Sequence, residues 1–166
     1  MKRKMPAHLR RYHWLMPFTL FSSAFPDGAR IPDLHSRQGA DLSPSLEWGG
    51  EPAATRSFAL VMDDPDAPSG TWTHWLLYDI PPTVHILPQG HKPGAVGVPG
   101  KNDFGSTGYG GPLPPKGHGA HRYFFRLRAL DAPSLGLPPG ATAPDLQRAL
   151  EGHVVAEARY MGRFER

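Results

Sequence analysis

The chain contains no cysteine among its 166 residues. This absence excludes disulfide bonds, thiolate metal sites, iron–sulfur clusters and a cysteine nucleophile. A run of about 18 apolar residues is also missing, so no membrane-spanning helix is predicted. The glycine patterns of Walker and Rossmann nucleotide sites and the Gly-x-Ser-x-Gly motif of serine hydrolases are absent. Several common enzyme classes therefore have no support in the sequence.

Acidic side chains are absent from the first 26 residues, whereas residues 1–15 hold five of the 18 basic side chains. Subtracting these five leaves 13 basic against 15 acidic groups, so the rest of the chain is slightly acidic. A nucleic-acid-binding surface on the body is therefore not supported. We predict a basic, flexible extension over residues 1–15 and a single domain over residues 16–166.

The start of the chain has some features of a signal peptide, because a basic segment over residues 2–4 precedes an apolar segment over residues 14–20. Arg10 and Arg11 lie close before the apolar segment and Pro17 interrupts it. These residues favour a cytoplasmic rather than a periplasmic protein.

Glycine and proline are abundant, at 19 and 20 residues, and proline at this density excludes a protein of long helices. Four Trp, five Tyr and eight Phe nevertheless argue for a packed core. We therefore predict a mainly β fold. The predicted strands cover residues 17–25, 57–62, 72–80 and 123–130, with a short strand near residues 96–98.

One helix is predicted near the C-terminus. Thr142 and Asp145 form a capping-box pattern, with Pro144 tolerated in the first turn. Apolar residues follow at helical spacing, and Gly162 could end the helix as a C-cap. These apolar positions are Leu146, Leu150, Val154, Ala158 and Met161.

Asp63, Asp64 and Asp66 place three carboxylates within four residues, directly after an apolar strand. Such a group is tolerated where the carboxylates face water, pair with cations or serve a site. Pro65 and Pro68 stiffen the loop that carries them. A binding site and a solvated turn explain this segment equally well.

A histidine stands among aromatic residues at Trp72-Thr73-His74-Trp75. In a regular strand Trp72, His74 and Leu76 share one face. A core histidine with satisfied hydrogen bonds is the competing interpretation, and an apolar wall would lower its pKa whereas a carboxylate would raise it.

Residues 108–123 combine many glycines and prolines with His118 and His121. Backbone N–H groups in such turns can form an anion-binding nest, which protonated histidines would complement. The two histidines with a carboxylate could instead bind Zn²⁺ or Fe²⁺, although this spacing means little on a loop. No nucleophile with a dedicated base is visible, so no catalytic residue, cofactor or metal is predicted.

These stretches together resemble the phosphatidylethanolamine-binding protein family, and most closely its bacterial branch, often called Raf-kinase-inhibitor-like. The resemblance covers about residues 17–164, and its ordered set of motifs is highly specific although each one is weak alone. The matching segments are Asp64-Pro65-Asp66-Ala67-Pro68, Trp72-Thr73-His74-Trp75, Asn102-Asp103-Phe104-Gly105, Gly108-Tyr109-Gly110-Gly111-Pro112 and His121-Arg122-Tyr123.

The resemblance implies antiparallel β-sheets with a few short helices and a small anion pocket at one end. It implies that Asp66 is structural and pairs with Arg122. It also implies the residues that line the pocket. These are Asp64, His74 and His121, with Pro68, Trp72, Pro114 and Tyr123 as walls.

Physical reasoning agrees with a binding role for these residues. Asp64 would hold both imidazoles and favour their charged form, so that their N–H groups meet an oxygen of a small phosphorylated or otherwise anionic ligand. We therefore expect non-enzymatic ligand binding. Two alternatives stay open: an interaction protein that inhibits a protease or kinase, and a metal-dependent hydrolase that uses Asp64, His74 and His121. Relatives in this branch can form homodimers, but nothing in the sequence selects a dimer face.

Overall fold

The computed structural model describes residues 17–92 and 94–166. The predicted extension over residues 1–15 lies outside these ranges. Two antiparallel sheets dominate the described residues, together with a 3-10 turn at Asp33–His35 and one α-helix. The predicted mainly β fold is therefore confirmed.

The smaller sheet has three strands, β1 (Thr19–Phe21), β2 (Leu46–Gly49) and β5 (Ile86–Leu87), in the order β1-β2-β5. The larger sheet has five strands in the order β6-β4-β3-β7-β8. Their bounds are β3 Ser57–Asp64, β4 Trp72–Ile80, β6 Val98–Pro99, β7 His121–Leu130 and β8 Val154–Phe164.

The main core lies between the two sheets, where Leu20 and Trp48 of the smaller sheet meet Phe58, Leu60 and Phe125 of the larger one. A second apolar cluster covers the opposite face of the larger sheet. Strands β3 and β4 are therefore buried on both faces, which explains why their sequences are continuous apolar runs.

Helix α1 (Ala143–Leu150) packs Leu146 and Leu150 into this second cluster, against Leu76 and Tyr78. Its predicted capping box is present: the Thr142 side chain accepts a hydrogen bond from the Asp145 N–H, and the Asp145 carboxylate accepts one from the Thr142 N–H. None of the described residues forms a helix long and apolar enough to cross a membrane.

The predicted continuation of this helix to Gly162 is wrong, because the helix ends at Leu150 and strand β8 follows. Val154, Ala158 and Met161 fit a helical spacing, but the same segment also alternates with period two. Ala158, Tyr160 and Phe164 are buried on one face and the residues between them are more exposed. This segment pairs with β7 along its whole length, and that pairing makes it a strand rather than a helix.

Gly162 is a strand residue rather than a helix cap, and it is required by packing. A Cβ at this position would stand 2.4 Å from Ile31 Cγ1 and 2.7 Å from a ring carbon of Phe25.

Two of the predicted strands have different bounds in the structure. The first strand spans Thr19–Phe21 rather than residues 17–25, and the short strand predicted near residues 96–98 lies at Val98–Pro99.

We predict that Gly162→Ala lowers the free energy of unfolding by about 1–3 kcal/mol, the usual cost of overpacking a core. Gly49→Ala, in strand β2, is the matched control because no atom lies within 4 Å of the added methyl group. Urea unfolding of both variants tests this. Equal midpoints for the two would contradict the packing explanation.

Candidate functional site

A cavity of about 210 Å³ lies where β3 ends and where β4 and β7 begin. All seven residues predicted for the ligand pocket line it: Asp64, Pro68, Trp72, His74, Pro114, His121 and Tyr123. Their role in binding stays a prediction. The remaining lining residues are Ala67, Ser69, Phe104, Leu113 and Pro115.

The three clustered carboxylates do not repel one another at close range, because each has its own partner. Asp64 Oδ2 accepts a hydrogen bond from His121 Nδ1 at 2.7 Å, and Asp64 Oδ1 accepts one from the Asp66 N–H at 2.8 Å. Asp66 is held by the Arg122 guanidinium at 2.8 and 2.9 Å, which lowers the pKa of Asp66 to about 2. Asp63 points to the opposite face of the sheet, towards Arg126 at 3.3 Å. The implied Asp66–Arg122 pair is therefore present.

A β-bulge places His74 in the cavity. Met62 pairs with Trp75 and Asp63 pairs with Thr73, so His74 has no partner across the ladder. Bulges of this kind redirect a side chain and are common beside functional sites. The expectation that Leu76 shares a face with Trp72 and His74 is therefore wrong, since Leu76 packs against the helix on the other side.

Two hydrogen bonds connect His74 to the backbone of Gly110. Nδ1 of His74 donates a hydrogen bond to the Gly110 carbonyl at 2.7 Å, and the Gly110 N–H donates to the His74 carbonyl at 2.9 Å. Phe104 and Tyr123 meet the imidazole edge-on, with ring centroids 5.3 and 5.1 Å away. The orientation of the ring is thus fixed without a carboxylate.

Burial lowers the pKa of His74 below its usual value, although Asp64 acts in the opposite direction. The expectation that Asp64 holds both imidazoles is therefore wrong for His74, although its charge still acts to raise the pKa of that ring. Asp64 bonds to His121 alone of the two rings.

Both ring nitrogens of His121 are engaged. Nδ1 donates to Asp64, and Nε2 shares a hydrogen bond of 2.6 Å with Nδ1 of His118. His121 is buried, whereas His118 lies on an exposed loop between Gly117 and Gly119, both of which have positive φ. Hydrogen bonds therefore connect buried Asp64 through His121 to His118 at the surface. The sequence suggested His118 as a metal ligand or as part of an anion nest, and did not predict its contact with His121.

Four of the five glycine amides in residues 108–123 donate to protein acceptors, so they are not free to form the expected anion nest. The Gly108 N–H bonds to the Gly100 carbonyl at 3.0 Å, and the Gly111 N–H bonds to Asp41 Oδ1 at 2.7 Å. The Gly117 N–H bonds to the Arg166 carbonyl at 3.1 Å. Within residues 17–92 and 94–166, no group of three or more histidines and carboxylates is arranged to hold a metal ion.

Two buried hydrogen-bond donors at the cavity have no partner in the protein. They are the hydroxyl of Tyr123, a residue with no exposed surface, and the indole Nε1 of Trp72. Burial, the charge of Asp64 and the nearness of its carboxylate to the hydroxyl raise the pKa of Tyr123, so the hydroxyl stays protonated, although no acceptor lies in hydrogen-bonding geometry. Buried polar groups of this kind are rare and call for an explanation.

A larger groove of about 450 Å³ lies on the other side of the sheet, beneath helix α1. Asp63, Thr73 and Asp103 line it, whereas their next neighbours Asp64, His74 and Phe104 line the histidine cavity. The groove and the histidine cavity therefore lie on opposite sides of the sheet. Each of these three pairs of adjacent residues contributes one side chain to the groove and one to the cavity.

Sequence reasoning did not assign Phe104 to the cavity. The loop that presents it is organised by Asn102, whose side-chain oxygen accepts the Phe104 and Ser106 N–H groups and whose Nδ2 donates to the Gly108 carbonyl. Arg37 covers the far side of the Phe104 ring at 4.0 Å. The Asn-Asp-Phe-Gly motif marked this segment, but no periodicity showed where its ring points.

The fold and the cavity together define a mainly β domain of two packed sheets with a histidine-lined cavity at one end of the larger sheet. The chain belongs to the phosphatidylethanolamine-binding protein family, whose sequence profile matches residues 21–165. The resemblance read from the motifs is thereby confirmed.

Similar proteins occur in several bacteria. A UPF0098 protein of Aquifex aeolicus is 49% identical over 150 residues, covering 89% of this chain and 88% of that protein. The UPF0098 protein YbhB of Escherichia coli is 36% identical over 156 residues, with coverages of 87% and 98%. The crystal structure of E. coli YbcL, described as a member of the mammalian PEBP family, superposes with a TM-score of 0.85 at 33% identity and covers 91% of this chain and 99% of that one.

We predict that Tyr123→Phe leaves the stability of the ligand-free protein unchanged or raises it by about 1 kcal/mol, because it removes a buried hydroxyl without a partner. Tyr160→Phe is the matched control. Tyr160 pairs with Phe125 on β7, and its buried hydroxyl donates to the Phe25 carbonyl. Its loss is expected to cost about 1–2 kcal/mol. Thermal unfolding compares the two, and a larger loss for Tyr123→Phe would contradict the assignment.

Proposed function

We propose that this chain is a non-enzymatic binding protein for a small phosphorylated ligand of the kind found in lipid head groups, held in the histidine cavity. The observation that carries the proposal is the pair of unpartnered donors, Tyr123 Oη and Trp72 Nε1. Leaving such a group unpaired costs roughly 1–3 kcal/mol, and a ligand that draws either donor towards the cavity and accepts its hydrogen bond would recover part of this energy.

The size and walls of the cavity support a small ligand with a short stem. Its volume of about 210 Å³ corresponds to several water molecules of about 30 Å³ each. Pro68, Pro114 and Phe104 provide rigid apolar walls, which exclude water and strengthen the polar contacts inside. The family name, phosphatidylethanolamine-binding protein, supports the same class of ligand.

The two alternative functions stay predictions, and no specific contact favours either. A metal-dependent hydrolase would use Asp64, His74 and His121, but Asp64 and His121 bond to each other and the second nitrogen of His121 bonds to His118. An inhibitor of a protease or kinase would need a docking surface that the described residues do not identify. Binding without a catalytic step is therefore the function that we propose.

The contact between His118 and His121 bears directly on ligand entry. His118 occupies the one nitrogen of His121 that faces away from Asp64. A ligand that reaches His121 must therefore replace His118, which its exposed loop permits. We infer that His118 moves away from His121 when the ligand binds.

O-Phosphoethanolamine is the probe for the proposed function, titrated by calorimetry and by histidine NMR at pH 7. We expect saturable binding that shifts the His74 and His121 resonances and leaves His153, at the opposite end of β7 beside Asp131, unmoved. Tyr123→Phe should bind about tenfold more weakly, the value of one hydrogen bond to a charged group. Tyr160→Phe should bind as the wild type does. If phosphoethanolamine, phosphate and nucleotides all leave both resonances unmoved, the proposed function is wrong.

His118→Ala is expected to bind O-phosphoethanolamine about three- to tenfold more tightly than the wild type, because the ligand no longer breaks the contact with His121. His153→Ala, which removes an exposed histidine far from the cavity, is the control and should leave the affinity unchanged. Weaker binding by His118→Ala would mean that His118 itself contacts the ligand.

A further inference from the structure

The protonation of His74 determines which oxyanions the cavity can accept. Nδ1 of His74 faces a carbonyl oxygen, which can only accept a hydrogen bond, so Nδ1 carries a proton. In the neutral ring, Nε2 is then a bare acceptor. Burial favours this neutral form by lowering the pKa of His74. His74 therefore offers a lone pair rather than a proton at Nε2.

No described residue that lines the cavity carries a fixed positive charge, although Arg37 and Arg166 keep theirs behind its walls. Among the described residues that line the cavity there is no lysine or arginine, and the one carboxylate is Asp64. The arginines nearby are already engaged: Arg122 pairs with Asp66, Arg37 covers Phe104 and Arg166 bonds to the Pro114 carbonyl. The titratable and charged groups that surround His74 are Asp64 on β3, His121 and Tyr123 on β7, and Asp103 on the adjoining loop.

The cavity thus presents one bare acceptor, His74 Nε2, and two donors without a partner in the protein, Tyr123 Oη and Trp72 Nε1, lie buried in its walls. A fully ionised oxyanion satisfies the donors but meets the lone pair of His74 and the negative charge of Asp64. An oxyanion that still carries an acidic proton satisfies all three, since its hydroxyl donates to Nε2 while its other oxygens accept.

We propose that the cavity selects oxyanions that carry a proton, so that it takes phosphate monoesters as monoanions and rejects sulfate esters. This inference rests on the proposed binding of a phosphorylated ligand and names the chemical form in which that ligand binds. A phosphate monoester has its second pKa near 6 and retains a protonated fraction at pH 7, whereas a sulfate ester is fully ionised.

The test compares two ligands of the same shape, O-phosphoethanolamine and O-sulfoethanolamine, by calorimetry between pH 6 and pH 8.5. At pH 7 we expect the phosphate ester to bind at least tenfold more tightly. Its affinity should fall roughly tenfold for each pH unit above about 7, because the protonated fraction falls by that factor. In the ligand-free protein the His74 imidazole should titrate below the ordinary histidine value of about 6.5.

His74→Gln is the variant that reports on selectivity, because an amide can turn either its oxygen or its nitrogen towards the ligand. We expect the ratio of phosphate to sulfate affinity to fall towards one in this variant. If the variant does not fold, as judged by thermal unfolding, the comparison of the two ligands on the wild type still decides.

Three outcomes separate the inference from the function on which it rests. Binding of neither ligand would overturn the proposed function itself. Equal binding of both ligands, with a charged His74 imidazole in both complexes by nitrogen-15 NMR, would overturn the inference and leave the function standing. Preference for the phosphate ester with the expected pH dependence would support both.

Discussion

The paired hydrogen bonds between His74 and Gly110 are the constraint on which the cavity depends. They tie the bulged start of β4 to the glycine-rich loop, and they fix one tautomer of a buried imidazole. Phe104 and Tyr123 then close around the ring from two sides. Because a backbone carbonyl rather than a carboxylate orients His74, the ring is held in place without a direct ionic partner, and its burial lowers its pKa.

Polar groups in the cavity fall into two kinds with opposite consequences. Asp64 and Asp66 have all their partners within the protein, and they give the loop after β3 its shape. Tyr123 and Trp72 each keep a buried donor unpaired. Natural proteins tolerate such a loss of stability where activity requires it, and two of the five unpaired buried side-chain atoms in the described residues belong to walls of this cavity.

Much of the fold could be predicted from local patterns. The apolar runs in β3 and β4 gave two strands of nearly correct extent, because burial on both faces leaves a continuous signal. Helix α1 began where its capping box indicated, but its predicted end was wrong, because Val154 to Met161 fit two periods and only pairing with β7 separates them. The residues predicted to line the cavity were identified from the family motifs. The bulge at His74 and the contact between His118 and His121 depend on packing and loop geometry, which leave no periodic trace in the sequence.

The back-to-back arrangement of the two cavities limits how this part of the chain can change. Each of the adjacent pairs Asp63–Asp64, Thr73–His74 and Asp103–Phe104 sends one side chain to each side of the sheet. A substitution alters one side alone. Deleting or inserting a single residue within β3 or β4 would instead exchange the two sides, and would carry Asp64 or His74 out of the histidine cavity and into the groove beneath helix α1. The length of these strand ends is therefore as much a part of the site as the identity of its histidines.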